Sequence, residues 1–390
     1  MRRMFVLMYA LVFLDEIALL GLVPLLPGYT RVYDLSTAEA GALLSAAPLA
    51  IVVASIPAGR LSDRLGARQV TLAAGVLIVV STAGMAVANG FAVMLAARAV
   101  FGLGSGTIWS AGLAWIGDSA QAHRRSAALG TVITVAGVGG MAGPVFCGYL
   151  AENVGRGAPW AVLSGATVLV VLALLVANPG RSVAHQHHPL RHIADKMRRE
   201  PLLAGAVAIM LLGGVGDGVA NLIAPLQLAD NGLSEGRIGL WFSVGAGLFI
   251  VGSAATTRLG ERAVSLRTAA LFAALQAVVL VPVLVSSATA AVVFMVLARF
   301  AVASFPYTIA YPLAAVGATR LGLGIGTVNG LLGLVWGAGS FVAPPVAGVI
   351  ADTIGDQGAY ALLVAFCLLM AGWLLRSARR GAVPAAAPAS

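Results

Sequence analysis

Long apolar runs separated by short polar turns recur along the whole chain. Hydropathy places them at about 4–28, 38–58, 69–88, 91–117, 126–150, 160–178, 202–226, 237–257, 266–286, 289–313, 325–350 and 359–376. Each run is close to the ~20 residues a helix needs to cross a ~30 Å hydrocarbon layer. The strict alternation that a membrane barrel strand requires does not occur. The pattern predicts an all-α membrane protein with twelve transmembrane helices in two pseudo-symmetric six-helix bundles. The longest polar stretch sets the division: residues 1–178, a linker at 179–200, residues 201–380, and an Ala/Pro-rich, disordered tail at 381–390. Within the linker, residues 190–197 can form a short amphipathic helix on the membrane surface.

Composition strengthens this reading. The 390 residues are 59% hydrophobic and only 10% charged, against roughly 25% charged in soluble domains. One water-soluble core cannot hide that much apolar surface. Arg2 and Arg3 precede an apolar run too long for a signal-peptide core and without a small-residue cleavage site, so it reads as the first span. Cys147 and Cys367 both lie inside apolar runs and imply no disulfide framework.

The net charge is +9, but its distribution says more than its size. Nineteen of the 24 basic residues fall in every second turn, three (Arg31, Arg156, Arg237) in the alternate turns, and two within spans. The positive-inside rule then places both termini and the linker in the cytoplasm, with the protein in the plasma (inner) membrane. Basic charge of this kind orients a membrane protein, so the bilayer is the expected partner and nucleic acid is not.

The two halves repeat at an offset of about 200 residues. Gly139, Pro144, Gly148 and Gly155 return as Gly339, Pro344, Gly348 and Gly355, Arg98 as Arg299, and Asp15 as Asp217. Arg60-Leu61-Ser62-Asp63-Arg64 returns as Arg258-Leu259-Gly260-Glu261-Arg262, and Gly130-Thr131-Val132 as Gly326-Thr327-Val328. Parallel repeats of an even number of spans belong to transporters whose binding site lies between the halves at the midplane.

Between the second and third runs, Gly59-Arg60-Leu61-Ser62-Asp63-Arg64-Leu65-Gly66-Ala67-Arg68 combines turn-forming glycines with a capping acid and forked cations. It resembles the loop 2–3 signature of the major facilitator superfamily. The resemblance implies a cytoplasmic latch built from Gly59, Asp63, Arg64, Gly66 and Arg68, with Asp118 at the end of span 4 as the carboxylate partner. In span 5, Gly139, Gly143, Pro144 and Gly148 resemble the motif of the superfamily's drug:proton antiporters, with Cys147 where glycine is usual. Span 1, from Leu14 to Pro27, is similar to the first span of the twelve-span members of that group.

Charges inside spans are costly and mark function by default. Here they are Asp15, Glu16, Arg98, Asp217 and Arg299. Adjacent helical residues point about 100° apart, so Asp15 and Glu16 cannot both face a cavity squarely. Asp15 matches the family acid and is the expected proton-linked or cation-binding carboxylate, with Glu16 facing span 4 or 5 and a candidate partner for Arg98. Burial opposes ionisation of a carboxylate and a nearby cation favours it, so a balanced site can exchange a proton for a cation. Asp15, Glu16, Arg98 and Asp217 are the proton-coupling candidates. A static ion pair holding the bundle together is the competing role.

Asp15, Trp109, Asn221, Tyr307, Tyr311, Asn329 and Trp336 are the candidate substrate-binding residues, because aromatic faces attract cations and few polar groups suit an apolar pocket. Packing or interfacial anchoring is the alternative role for the aromatics. His185, His187, His188 and His192 lie in the linker without ligand spacing, so no metal is expected. No phosphate-binding loop follows a strand, so no nucleotide cofactor is expected. No nucleophile–base arrangement indicates an enzyme. The reading is a monomeric, proton-coupled exporter of small lipophilic or cationic compounds working by alternating access. Uptake or exchange of a neutral or anionic metabolite and lipid export remain as alternatives on the same fold, whereas the intact Asp63/Arg64 latch and the acidic span 1 argue against a non-transporting sensor.

Overall fold

The computed structural model of the protein describes residues 2–176, 200–259, 264–323 and 325–380. Among these residues all regular structure is helical, and twelve helices are long and apolar enough to cross a membrane. Numbered as spans 1 to 12, they run Arg3–Tyr33, Thr37–Ser55, Ala67–Ala86, Phe91–Gly117, Ala127–Asn153, Ala158–Val176, Pro201–Asp230, Glu235–Arg258, Leu266–Val285, Thr289–Arg320, Val328–Ile354 and Asp356–Arg379. The linker with its expected surface helix and histidines lies outside the described residues, as do the tail and most of the second-half copy of the loop signature, residues 260–263.

Several helices run past their hydropathic limits. The helix of span 2 continues to Leu65, and that of span 10 to Arg320. Backbone hydrogen bonds continue where polar side chains begin, so apolarity marks the buried length of a helix rather than its end. Three spans are broken. Span 1 is interrupted at Gly21, just before Pro24, which has no N–H to donate. Span 4 carries a π-helical turn at Ile108–Gly112, and span 9 restarts at Val281 beside Pro282.

Each half packs by the same scheme. Span 1 lies against span 5, span 2 against span 4, and span 3 against spans 4 and 6. In the second half span 7 lies against span 11, span 8 against span 10, and span 9 against span 12. The halves meet chiefly along two diagonals, span 2 on span 11 and span 5 on span 8.

Among the described residues, the backbone-to-backbone contacts along those diagonals cluster at one end. On the face remote from the chain ends, here the far face, small residues let backbones touch. A Cβ on Gly41 would strike the Pro344 carbonyl, and one on Gly239 the Pro144 carbonyl. Gly348 presses on the backbone of Thr37 and Ala38, and Gly148 on that of Glu235 and Gly236. Toward the near face, which carries both described chain ends, Gly130 and Gly137 of span 5 and Gly330 and Gly333 of span 11 have open space around them. The close backbone contacts between the halves thus lie at the far face, and these four near-face glycines make none.

Candidate functional site

The in-span charges form two clusters, one per half. In the first half Asp15 is completely buried and accepts hydrogen bonds on Oδ2 from Ser105 Oγ at 3.0 Å and Trp109 Nε1 at 3.2 Å. Both donors come from span 4, and Trp109 sits on its π turn. A π-helical turn shifts the side chains beyond it by one position, a distortion often found at functional sites. The other oxygen of Asp15 has no hydrogen-bond partner among the described residues.

Arg98 does not bond to either span 1 acid. Its guanidinium donates to the carbonyl oxygens of Ala18 at 3.0 Å and Leu19 at 3.4 Å, just before the break in span 1, and lies 4.9 Å from the centre of the Phe101 ring. The expected contact between Glu16 and Arg98 is therefore not formed. Glu16 makes no hydrogen bond or ion pair with the described residues and is partly exposed. It lies beside span 5, where a Cβ on Gly139 would come 3.0 Å from the Glu16 Cβ. Asp15 is turned into its own bundle toward span 4, and Glu16 faces span 5, one of the two spans expected for it. Residue 15 points at span 4, and the ~100° step between neighbours carries residue 16 round toward span 5.

In the second half Asp217 is fully engaged. Its Oδ1 accepts from Arg299 Nη2 at 2.7 Å, and its Oδ2 accepts from Tyr307 Oη at 2.7 Å and Trp336 Nε1 at 3.1 Å. The Arg299 side chain is 3% exposed and that of Asp217 is 25% exposed. Pseudo-symmetry thus relates a closed Asp–Arg pair in one half to an open one in the other. Each acid also holds an indole N–H, from Trp109 on span 4 or Trp336 on span 11.

The remaining candidates are dispersed. Asn221 is partly buried one turn beyond Asp217 and joins no hydrogen bond in the cluster. Tyr311 is 45% exposed and Asn329 is exposed, and neither joins a cluster. In the loop signature Gly66 has φ of 92°, a conformation that glycine tolerates and other residues resist. Gly59 is partly buried and Arg64 is exposed, while Asp63 is held by an interaction within the structure. Arg68 donates to the Leu175 carbonyl at 3.1 Å, at the near end of span 6. The side chain of Asp118 lies outside the described residues.

The span 5 motif divides its work. Gly139 and Gly143 admit the backbone of span 1 at Phe13 and Ile17, while Pro144 and Gly148 face span 8. Ser243 of span 8 completes this contact by accepting from the Val145 N–H at 3.0 Å. Ser105 and Ser243 escaped the sequence reading because a lone serine within a glycine- and alanine-rich span carries no signal.

Twelve spans in two related halves, buried charges within them, and close packing between the halves at one face are the marks of a secondary transporter. The sequence matches the profile described as Major Facilitator Superfamily over residues 5–329. The chain belongs to the Major Facilitator Superfamily. It is 32% identical over 197 residues to the "MFS-type transporter ppzB" of Metarhizium rileyi, a match covering 48% of this chain and 41% of that protein. It is 23% identical over 215 residues to the "Quinolone resistance protein NorA" of Staphylococcus aureus, covering 54% of this chain and 55% of that protein. The matched region thus spans about half the length of these relatives or less. Among solved structures, a bacterial homolog of the human lysosomal transporter Spinster, inward-facing and occupied, superposes with a TM-score of 0.76 at 15% identity, covering 96% of both chains. A D-xylose–proton symporter gives a TM-score of 0.76 at 13% identity, covering 95% of this chain and 96% of that one. Likeness at these identities speaks for the fold.

Proposed function

We propose that the protein is a proton-coupled exporter of small lipophilic or cationic compounds. It acts as a monomer in the plasma (inner) membrane with both termini cytoplasmic. The observation that carries this reading is the state of the in-span charges. Both in-span arginines are buried and engaged, Arg98 with backbone carbonyls and Arg299 with Asp217, and the Nε–H that each leaves unpartnered is buried as well, so an anion would have to displace a present partner. The in-span charge without a hydrogen bond or ion pair among the described residues is a carboxylate, Glu16, partly exposed and adjacent to a buried carboxylate with one unpartnered oxygen.

On this reading the near face is cytoplasmic and the conformation is inward-facing. A cationic compound entering from that side meets Glu16, with the Trp109 and Trp336 indoles as apolar surfaces on either half. Asp15 stores the proton out of contact with water, and Trp109 and Ser105 hold its carboxyl group in place. Asp217, locked to Arg299, serves the second half as a brace. The likeness to NorA supports export of drug-like compounds, and the span 5 motif supports antiport. Metabolite uptake on the same fold would require one of the two arginines to leave its present partner and face the substrate.

Inside-out vesicles carrying a respiration-driven pH gradient, read with a fluorescent ΔpH probe, test the proposal. Lipophilic cations, neutral drugs and organic anions are added in turn to wild type, Glu16→Gln and Asp15→Asn. Cations should dissipate the gradient in wild type and in neither variant. If organic anions alone move protons, or if both variants respond like wild type, the proposal fails.

A further inference from the structure

The far-face seal contains two acids that no motif singles out, Glu152 and Asp352. They lie 200 positions apart, at the far ends of spans 5 and 11. Each reaches across to the opposite half and binds the first turn of the helix that its own span packs against. Asp352 accepts from the backbone N–H groups of Thr37 at 3.1 Å and Ala38 at 2.9 Å, the first residues of span 2. Glu152 accepts from the N–H of Gly236 at 3.0 Å, in the first turn of span 8.

The first-turn donors of span 2 can be followed one by one. The Ser36 N–H donates to Glu39 Oε2, and the Glu39 N–H donates to Ser36 Oγ, a reciprocal capping box within the span. The two N–H groups between them are satisfied by Asp352 of the other half. Half of this helix's N-cap therefore comes from outside its own bundle. A carboxylate at a helix N-terminus is favoured both by the orphan N–H groups and by the helix dipole. The glycines beside each acid, Gly148 and Gly348, bring the backbones close enough for the contact. Next to Glu152, Arg156 in the turn after span 5 forms a further cross-half ion pair with Glu235 at 2.8 Å. The second diagonal has no counterpart to that pair among the described residues.

We propose that Glu152 and Asp352 are paired gate residues of the transport cycle, one on each diagonal. They hold the far face shut by capping helices of the opposite half, and both caps must break when that face opens. Any rocking of the halves that parts span 2 from span 11 withdraws Asp352 from two backbone donors, and its partner motion withdraws Glu152. The freed groups then turn to water, so each cap biases the equilibrium modestly without locking it. The proposal concerns gating and does not depend on what the protein carries.

The test is double electron–electron resonance in nanodiscs, with spin labels on cysteines placed at exposed sites. Val87 and Val285 report across the far face, and Leu175 and Leu375 across the near face. The native Cys147 and Cys367 are buried. Glu152→Ala and Asp352→Ala should each raise the far-open population about threefold, and the double variant about tenfold, as expected for two independent exposed caps. The far-face distance should lengthen while the near-face distance shortens. Unchanged distances in the double variant overturn the proposal. So does broadening of both distributions without the reciprocal shift, which would mark the acids as merely structural. Should the alanine variants fail to fold, Glu152→Gln and Asp352→Asn keep an acceptor oxygen and remove the charge. They should move the populations in the same direction by a smaller factor, and no movement counts against the proposal.

Discussion

Replacing Asp217 with alanine should destabilise the second half far more than removing any single neutral donor to it. Three donors converge on this carboxylate at 2.7, 2.7 and 3.1 Å, but they are not equal. Arg299 is 3% exposed, so losing its partner leaves a nearly buried charge uncompensated, at a cost of about 3–5 kcal/mol. Tyr307 and Trp336 each contribute a hydrogen bond from a neutral group within a membrane bundle, worth ~0.6 and at most ~1.7 kcal/mol. The charge effect therefore outweighs either hydrogen bond. Asp217→Ala should lose at least about 3 kcal/mol, whereas Tyr307→Phe and Trp336→Phe should each lose under about 2 kcal/mol. Arg299→Met combined with Asp217→Ala should recover part of the single-variant loss, because the orphaned charge is gone. Unfolding in mixed micelles with increasing SDS, followed by circular dichroism, gives the free energies. If Tyr307→Phe costs as much as Asp217→Ala, or if the double variant is strictly additive, the ion pair is not the main brace.

Two further outcomes follow from the packing. Gly66→Ala introduces a Cβ at a φ of 92° where there is steric space but a strained backbone, so it should lower stability by about 1 kcal/mol without altering transport selectivity, measured by the same SDS titration. Gly148→Leu or Gly348→Leu places a side chain against backbone in the far-face seal and should increase labelling of far-face cysteines by an impermeant maleimide. Unchanged labelling would show that the diagonals tolerate bulk and that the glycine contacts do not set the closed state.

Much of this architecture follows from the sequence because the bilayer is a demanding solvent. A span must be about 20 apolar residues long and must satisfy its own backbone hydrogen bonds, so the twelve runs fix the helices and the fold class. The repeat of Pro144 and Gly148 as Pro344 and Gly348 is visible in the chain, and the seal uses both sets in the same way. The pairing of the charges is not visible. Asp15 and Asp217 occupy equivalent positions, as do Arg98 and Arg299, yet only the second pair bonds. The first arginine donates instead to carbonyl oxygens near the break in span 1, leaving its Nε–H without a partner among the described residues.

The facing of adjacent acids is also a tertiary decision. Residues 15 and 16 differ by one step of a helix, and the rotation of span 1 between spans 4 and 5 alone determines which is buried. Nothing in the sequence distinguishes Glu152 and Asp352 from other acids at span ends, because the N–H groups they cap belong to spans far away in the chain. The amino-acid sequence by itself determined what must lie in the membrane, how many times it crosses, and that the two halves are copies. Tertiary structure decided which buried groups found partners and which face closed, because those outcomes depend on contacts of a few ångströms between helices remote in sequence.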